Sequence, residues 1–325
     1  MDYDHNIEDP GSLEGWVMHK CNQWRDHFES NYQHKFDEYY RLWRGIWAEE
    51  DSMRTSERSR LISPALQQAV ESSVAEVEEA TFGRGKWFDI KDDFADEQPQ
   101  DIQLLRTQLD EDMTFAKARS SIAECLINSA VFGTGVGEIV LDQVTEMRPA
   151  TQPIMGGDMQ AVGVNQTQRT LVKLRPVMPQ NFLIDPVATS IEDALGVAID
   201  EFVPLHQVEM AQEAGIYRDE EVATAAPDTD LEPDQDLTIY MDDKVRLTKY
   251  YGLVPRALFE EAMFDLEGEE QPTEEDAEGF SGYVEAIVVI ANEGTLLKVE
   301  ANPYMMQDRP VVAFPWDVVP GRFWG

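Results

Sequence analysis

The spacing of apolar residues changes period once along this chain, and that change constrains the fold more than any other feature. Up to Phe132 the apolar side chains recur at steps of three and four, the spacing of one helix face. Beyond it they gather into short β-rich runs between turn residues, with only brief helical pieces among them. Helices first and then mostly strands predict an α+β fold with a mixed, mainly antiparallel sheet rather than an alternating doubly wound one. The junction itself reads Phe132-Gly133-Thr134-Gly135-Val136-Gly137-Glu138. A phosphate loop needs a strand, then glycines, then a helix whose free N–H groups meet the anion. Here the order is reversed and position 138 is Glu, so Gly133 and Gly135 are expected to supply a left-handed helix cap and a sharp turn into a strand.

Before the junction, residues 13–47 form an amphipathic helix, or two in series, with a stripe that includes Trp16, Trp24, Phe28, Tyr32 and Phe36. Of the four histidines in or before it, His27 and His34 have Asp26 and Asp37 nearby, yet no ligand pair stands at the i, i+3 or i+4 spacing of a helical metal site. No metal is expected, and the stripe is read as packing against another element or a neighbouring subunit. A second helix is announced by Ser63 as N-cap, Pro64 at the first helical position, Leu66, Val70, Val74 and Val77 on one face, and Phe82-Gly83 as its close. Residues 87–90, Trp-Phe-Asp-Ile, read as a short strand, and 92–100 as a solvated acidic loop. Residues 101–132 continue as a long helical pattern with a break expected at 112–114.

After the junction, strands are expected at 138–143, 170–177, 197–202, 244–254, 283–291 and 311–314. Between the first two lies a loop or hairpin excursion, 144–168. Short helices are expected at 205–217 and 256–264, and Asn292-Glu293-Gly294 offers a hairpin turn. Asp185, Glu192 and Asp193 make a carboxylate group around a turn, but without a nearby histidine or basic partner they read as turn and helix-start charges rather than a catalytic pair. No catalytic residue and no cofactor is expected.

Composition narrows the function classes. Against 63 acidic residues stand 26 basic ones, a formal net charge of -37. Gripping nucleic acid through its phosphates requires clustered Lys and Arg, so tight DNA binding is not expected. An acidic wall remains compatible with DNA that slides past without sticking, and equally with a surface that merely aids solubility. The two cysteines, Cys21 and Cys125, fall in helical patterns and offer neither a disulfide framework nor a cysteine-rich metal site. No apolar run approaches the roughly 20 residues of a membrane span, and the start of the chain lacks a signal peptide, which predicts a cytosolic origin and no membrane partner.

The last residues, Trp316-Asp-Val-Val-Pro-Gly-Arg-Phe-Trp-Gly325, form a rigid aromatic turn after the apolar run 311–314. Leaving Phe323 and Trp324 wet would forgo roughly 1.5 to 3 kcal/mol each, so both are expected to be buried, and the chain is expected to lead into a further element.

This segment resembles the one that precedes the channel-lining helix in portal proteins, the head-to-tail connectors of short-tailed double-stranded DNA phages. Three other patches are similar in the same order: residues 58–71 with their basic-Ser pair and Ala-Val-Glu, Phe132-Gly-Thr-Gly135, and Asn181-Phe-Leu-Ile-Asp-Pro186 with the acidic turn behind it. The resemblance covers about 39–325 apart from two acidic insertions. It implies an N-terminal aromatic helical region, 1–50, and a wing-like α+β region, 51–325, with insertions at 219–243 and 265–282. The family's stem, clip and crown would lie beyond. It further implies a virion structural protein and no enzyme: a homo-oligomeric ring, dodecameric in the family, seated at a capsid vertex after assembly in the host cytoplasm. The ring would be the channel for DNA packaging and genome ejection, passing double-stranded DNA without sequence specificity. Its partners would be the terminase large subunit, capsid and scaffolding proteins, and tail adaptor proteins. Two other readings fit the same residues, namely another virion structural protein such as a capsid or tail adaptor, and an enzyme using the glycine-rich junction.

Overall fold

The structure, a computed structural model, describes residues 11–47, 63–85, 87–90, 99–153, 159–224, 244–267, 282–292 and 294–325. The greater part of both acidic insertions, the acidic loop 92–98 and the basic-Ser pair of residues 58–71 lie outside the described residues.

The fold is α+β, with helices first and antiparallel sheets after them. Helix α1, Leu13–Phe28, starts at Ser12, whose hydroxyl accepts from the Gly15 N–H at 3.3 Å. A five-residue π-helical turn, Glu29–Gln33, joins it to α2, His34–Arg44, which closes on the left-handed Gly45. The first aromatic stripe is therefore one helix with a widened turn in its middle.

Helix α3, Ala65–Phe82, begins one residue later than the sequence suggests. The carbonyl of Pro64 accepts the first intrahelical bond, so Pro64 rather than Ser63 occupies the capping position, and no side chain caps the helix. Residues 87–90 are not a strand. Among the described residues no ladder partner lies beside them; the ring of Trp87 packs against Phe82 and Phe88, and Arg106 binds both Asp89 and the Ile90 carbonyl. Helices α4, Pro99–Phe115, and α5, Ala118–Phe132, are separate. The break sits at Ala116-Lys117, after the expected 112–114, where Lys117 takes a left-handed conformation with φ 54°.

Past α5 the chain enters a three-stranded sheet. Strand β1, Thr134–Pro153, pairs along its length with β2, Met159–Val177, and β8, Val311–Pro315, pairs with the start of β1. The expected excursion is thus a continuous ribbon; twenty residues at about 3.4 Å each carry it roughly 65 Å. A five-stranded sheet follows in the order β3, Phe182–Ile184; β4, Gly196–Pro204; β5, Lys244–Pro255; β6, Tyr283–Ala291; β7, Thr295–Ala301. Strand β3 lies outside the strands expected from the sequence. Helices α6, Leu205–Glu213, and α7, Arg256–Glu267, follow β4 and β5.

Because side chains alternate across a strand, the five-stranded sheet is apolar on both faces. Ala198, Tyr250, Val288 and Ile290 point to one face, against Leu13, Val17, Cys21 and Trp24 of α1 and Phe259 of α7. Val197, Ile199, Tyr251 and Ile287 point to the other, where Val136, Val177 and Val311 of the three-stranded sheet meet them. At the far end Val208 of α6 covers Val245, Leu247 and Val289. Among the described residues no helix is long and apolar enough to cross a membrane.

Candidate functional site

The place where most of the distinctive sequence converges is the passage from α5 to β1. Gly133 adopts φ 87°, a conformation costly to other residues, and its N–H is bonded to the Ser129 carbonyl. Its carbonyl accepts from the Trp316 N–H at 2.8 Å. Thr134 donates its hydroxyl to the Phe323 carbonyl at 3.1 Å and accepts from the Gly325 N–H at 3.2 Å. A Cβ on Gly133 would stand 2.7–2.9 Å from the backbone of Gly325. Gly133 thus caps the helix, as expected, and with Thr134 makes a shallow bed in which the final residues lie, whereas Gly135 has no positive φ and lies within β1, pressed against the Cys125 carbonyl of α5. The polar groups that an anion would seek at Gly133 and Thr134 are engaged by the chain's own backbone.

Above this bed the side chains form an aromatic cluster. Trp324 is buried among Phe28, Phe36, Phe182 and Phe323, with ring centroids between 5.0 and 6.1 Å from its own. Phe36 also packs on Phe132, at 5.4 Å, so α1–α2, α5, β3 and the end of the chain share one contact. The π-helical turn inserts its extra residue between Phe28 and Phe36 and keeps both, with Tyr32, on the Trp324 side. Edge-to-face ring pairs of this kind add roughly 0.5 to 1.5 kcal/mol each beyond their burial.

Two charged networks tie the layers together. Glu138 is 1% exposed and sits between the sheets. It binds Arg175 of β2, accepts from the Tyr251 hydroxyl at 2.8 Å, and has the Lys249 ammonium 3.7 Å away. Arg175 and Lys249 both continue to Glu201 of β4. Burial works against the Arg175 charge, but its bonds to Glu201 and Glu138 outweigh it and hold its pKa above the ordinary value. Burial likewise opposes the Glu201 charge, and Arg175 with Lys249 still brings its pKa below normal. In the second network Asp200 binds Arg25 of α1 and Arg246 of β5, each at 2.8 Å, and accepts from Thr248 at 2.7 Å. Burial opposes its charge too, and the two guanidiniums win, lowering its pKa. Apart from these, Arg309 reaches Glu285 at 2.8 Å and the Ile191 carbonyl at 2.6 Å, pinning the approach to β8 onto the five-stranded sheet.

The other residues singled out in the sequence are not assembled into a site. His27 faces a void of about 30 Å³ beside Tyr32 and Asp185, and His34 is exposed. Among the described residues no three His, Cys, Asp or Glu side chains are grouped to hold a metal. Asp185 accepts from the Val187 N–H; Asp193 accepts from Thr189 and Ser190, and these bonds, led by the Thr189 hydroxyl, lower its pKa. Both carboxylates shape turns. Cys21 and Cys125 are buried thiols, each pushed up by burial to about 12, so neither is a thiolate near neutral pH. The Glu138 network was not anticipated. Its only signal is that Glu138 follows Val136 by two residues, on the inward side of β1.

Fold and junction together define an α+β protein whose most distinctive sequence chemistry is spent on joining layers. Compared with known proteins, the chain matches no family model, and no curated protein is significantly similar to it.

Proposed function

We propose that the chain is the wing-like part of a portal subunit of a short-tailed double-stranded DNA phage, a structural protein of the ring at one capsid vertex. In that role the complete subunit forms the channel for DNA packaging and ejection and the dock for terminase and tail. One observation supports this best. Three of the four patches that carry the resemblance are distant in sequence yet meet at one place: Phe132-Gly-Thr-Gly135 beds Phe323-Trp324-Gly325, and Phe182 packs on Phe323 at 5.6 Å and on Trp324 at 6.1 Å. Residues that are alike by accident need not depend on one another; these do. In the portal family a long channel helix follows such a turn, and a turn clamped on three sides is a firm base for one.

The test is to read the encoding DNA past the codon for Gly325 and to image the full product by electron microscopy. The proposal predicts a frame that continues into a long helix, a β-rich interruption and a second long helix, and particles that are rings with a central channel. A frame without that pattern, or a product that gives no rings, rejects it and leaves the adaptor reading.

A further inference from the structure

Beyond β8 the outer edge of β1 is open. The Trp316 N–H bonds the Gly133 carbonyl and the Ile139 N–H bonds the Pro310 carbonyl, each at 2.8 Å. Backbone groups alternate along a strand, so odd-numbered residues of β1 turn theirs toward β8 and even-numbered ones toward β2. Strand β8 goes no further: Pro310 precedes it, and Arg309 is drawn away to Glu285 and the Ile191 carbonyl. Past Ile139 the N–H and C=O groups of Leu141, Gln143, Thr145 and Met147 therefore point to a side where, among the described residues, no strand lies. Water meets such groups one at a time, whereas an extended backbone meets the whole row in register. A two-stranded ribbon is only marginally stable in water, so a third strand would also firm it.

Sheet edges are commonly guarded by proline, lysine or a bulge. From Ile139 to Met147 there is no proline, lysine or glycine, and the register with β2 first shifts at Ala150/Thr151. The side chains beside the edge then define what would fit it. Leu141, Gln143, Thr145 and Met147 share one face with their partners on β2, which begin with Val172 and end with Gln166; all are exposed and none is charged. Asp142 points to the other face, at a position where the side chains of an added strand come closest. It is 45% exposed even while paired with Lys173. A net charge of -37 adds a long-range pull on cationic partners.

We propose that this edge is a docking site for an extended basic segment of a partner protein, added to the three-stranded sheet antiparallel to β1 and in line with β8. The segment's residues opposite Leu141, Gln143, Thr145 and Met147 exchange backbone bonds with them and carry apolar or uncharged side chains. The residue opposite Asp142 is Lys or Arg. The contact does not rest on the portal reading, and its failure leaves that reading standing.

The probe is a labelled nine-residue peptide of alternating Val and Lys, with Val at both ends, titrated against the full chain by fluorescence anisotropy. Two N-methylated forms keep its charge. Methyl groups on the valines remove the N–H groups aimed at β1; on the lysines they lie along the far edge. The parent and the lysine-methylated form should bind alike, and the valine-methylated form at least about tenfold more weakly. A Val-Glu peptide should also bind at least about tenfold more weakly. Thr145→Pro takes away one outward N–H without touching the ladder to β2 and should weaken the parent severalfold. Hydrogen exchange at the Gln143 and Thr145 amides should slow when the peptide binds. No binding of the parent overturns the proposal, as do methylated forms that bind alike, a Val-Glu peptide that binds equally well, or a folded Thr145→Pro chain that binds undiminished. Should Thr145→Pro lose its fold, the methylated pair still decides. Amides at 143 and 145 already protected in the free chain overturn it too, since the edge is then occupied. A dimer of the chain alone that Thr145→Pro abolishes would give the edge to a second copy instead.

Discussion

The indole of Trp324 stands edge-on to the ring of Phe36, with centroids 5.4 Å apart and planes at 79°. Around this pair the N-terminal helix, the α5–β1 passage and the last residues of the chain are joined, so its loss reaches all three. Trp324→Ala should lower unfolding free energy by about 3 to 5 kcal/mol, the range for emptying a large aromatic from a packed core. Chemical denaturation of the variant checks this; a change below about 1 kcal/mol would mean that the cluster holds nothing together.

Gly133 and Gly215 separate two costs of a side chain. Both have positive φ, 87° and 70°, but a Cβ on Gly215 meets nothing within 4 Å, whereas one on Gly133 strikes the Gly325 backbone. Gly215→Ala should therefore cost about 1 to 2 kcal/mol from backbone conformation alone. Gly133→Ala should cost clearly more and should also raise hydrogen exchange at the Gly325 and Trp316 amides, which that bed holds. Equal costs for the two variants would contradict the clamped arrangement.

Glu138 is the buried centre of the inter-sheet network. Glu138→Ala leaves Arg175 and Lys249 short of a counter-charge and should cost about 3 to 5 kcal/mol. Tyr251→Phe removes one bond to a charged acceptor and should cost about 1.5 to 3 kcal/mol. In the double variant the effects should be less than additive, since both act on the same carboxylate; strict additivity in a double-mutant cycle would show that they are uncoupled.

The regular elements were legible because their signal is local. Steps of three and four marked the helices, and the Gly133-Thr134-Gly135 turn marked where they end. What escaped needed a partner distant in the chain. Residues 87–90 carry strand-like side chains, but among the described residues no strand edge lies beside them to pair with. Strand β3 does pair with β4, yet three residues are too few to show an alternation. Lys117 takes a conformation for which its side chain gives no sign. At the site, the burial of Trp324 followed from its cost in water, whereas Phe323, expected buried as well, is only half-buried, and their neighbours, Phe28, Phe36 and Phe182, could not be named because contact across hundreds of residues leaves no mark on spacing. The network was hidden for a similar reason: Glu138, Arg175, Glu201 and Lys249 look like ordinary polar positions of four strands until the sheets are stacked.

Stability should fall on the alkaline side through Cys21. Burial raises its thiol from 9.0 to about 12 in the folded protein, so the contribution is complete below pH 9 and is lost as pH rises from 9 toward 12, when the unfolded chain sheds the proton first. The slope from this one group is about 1.4 kcal/mol per pH unit. Cys21→Ala should flatten the fall between pH 9 and 10, read from denaturation midpoints; an unchanged slope would assign it to other groups. On the acid side Asp200 and Glu201 have lowered pKa values, and their contribution is lost only as pH drops below about 4.

Phe36 and Trp324 stand almost at opposite ends of the sequence, and this sets a timetable for synthesis. At about 5 to 20 residues per second, a ribosome needs roughly 15 to 60 s to travel from one to the other. Once they leave the exit tunnel, the rings of Phe28, Tyr32 and Phe36 wait about that long for the indole that finally covers them. Until residue 324 arrives the nascent chain therefore carries aromatic surface that this indole has yet to cover, and a chaperone that binds such surfaces has its natural window there.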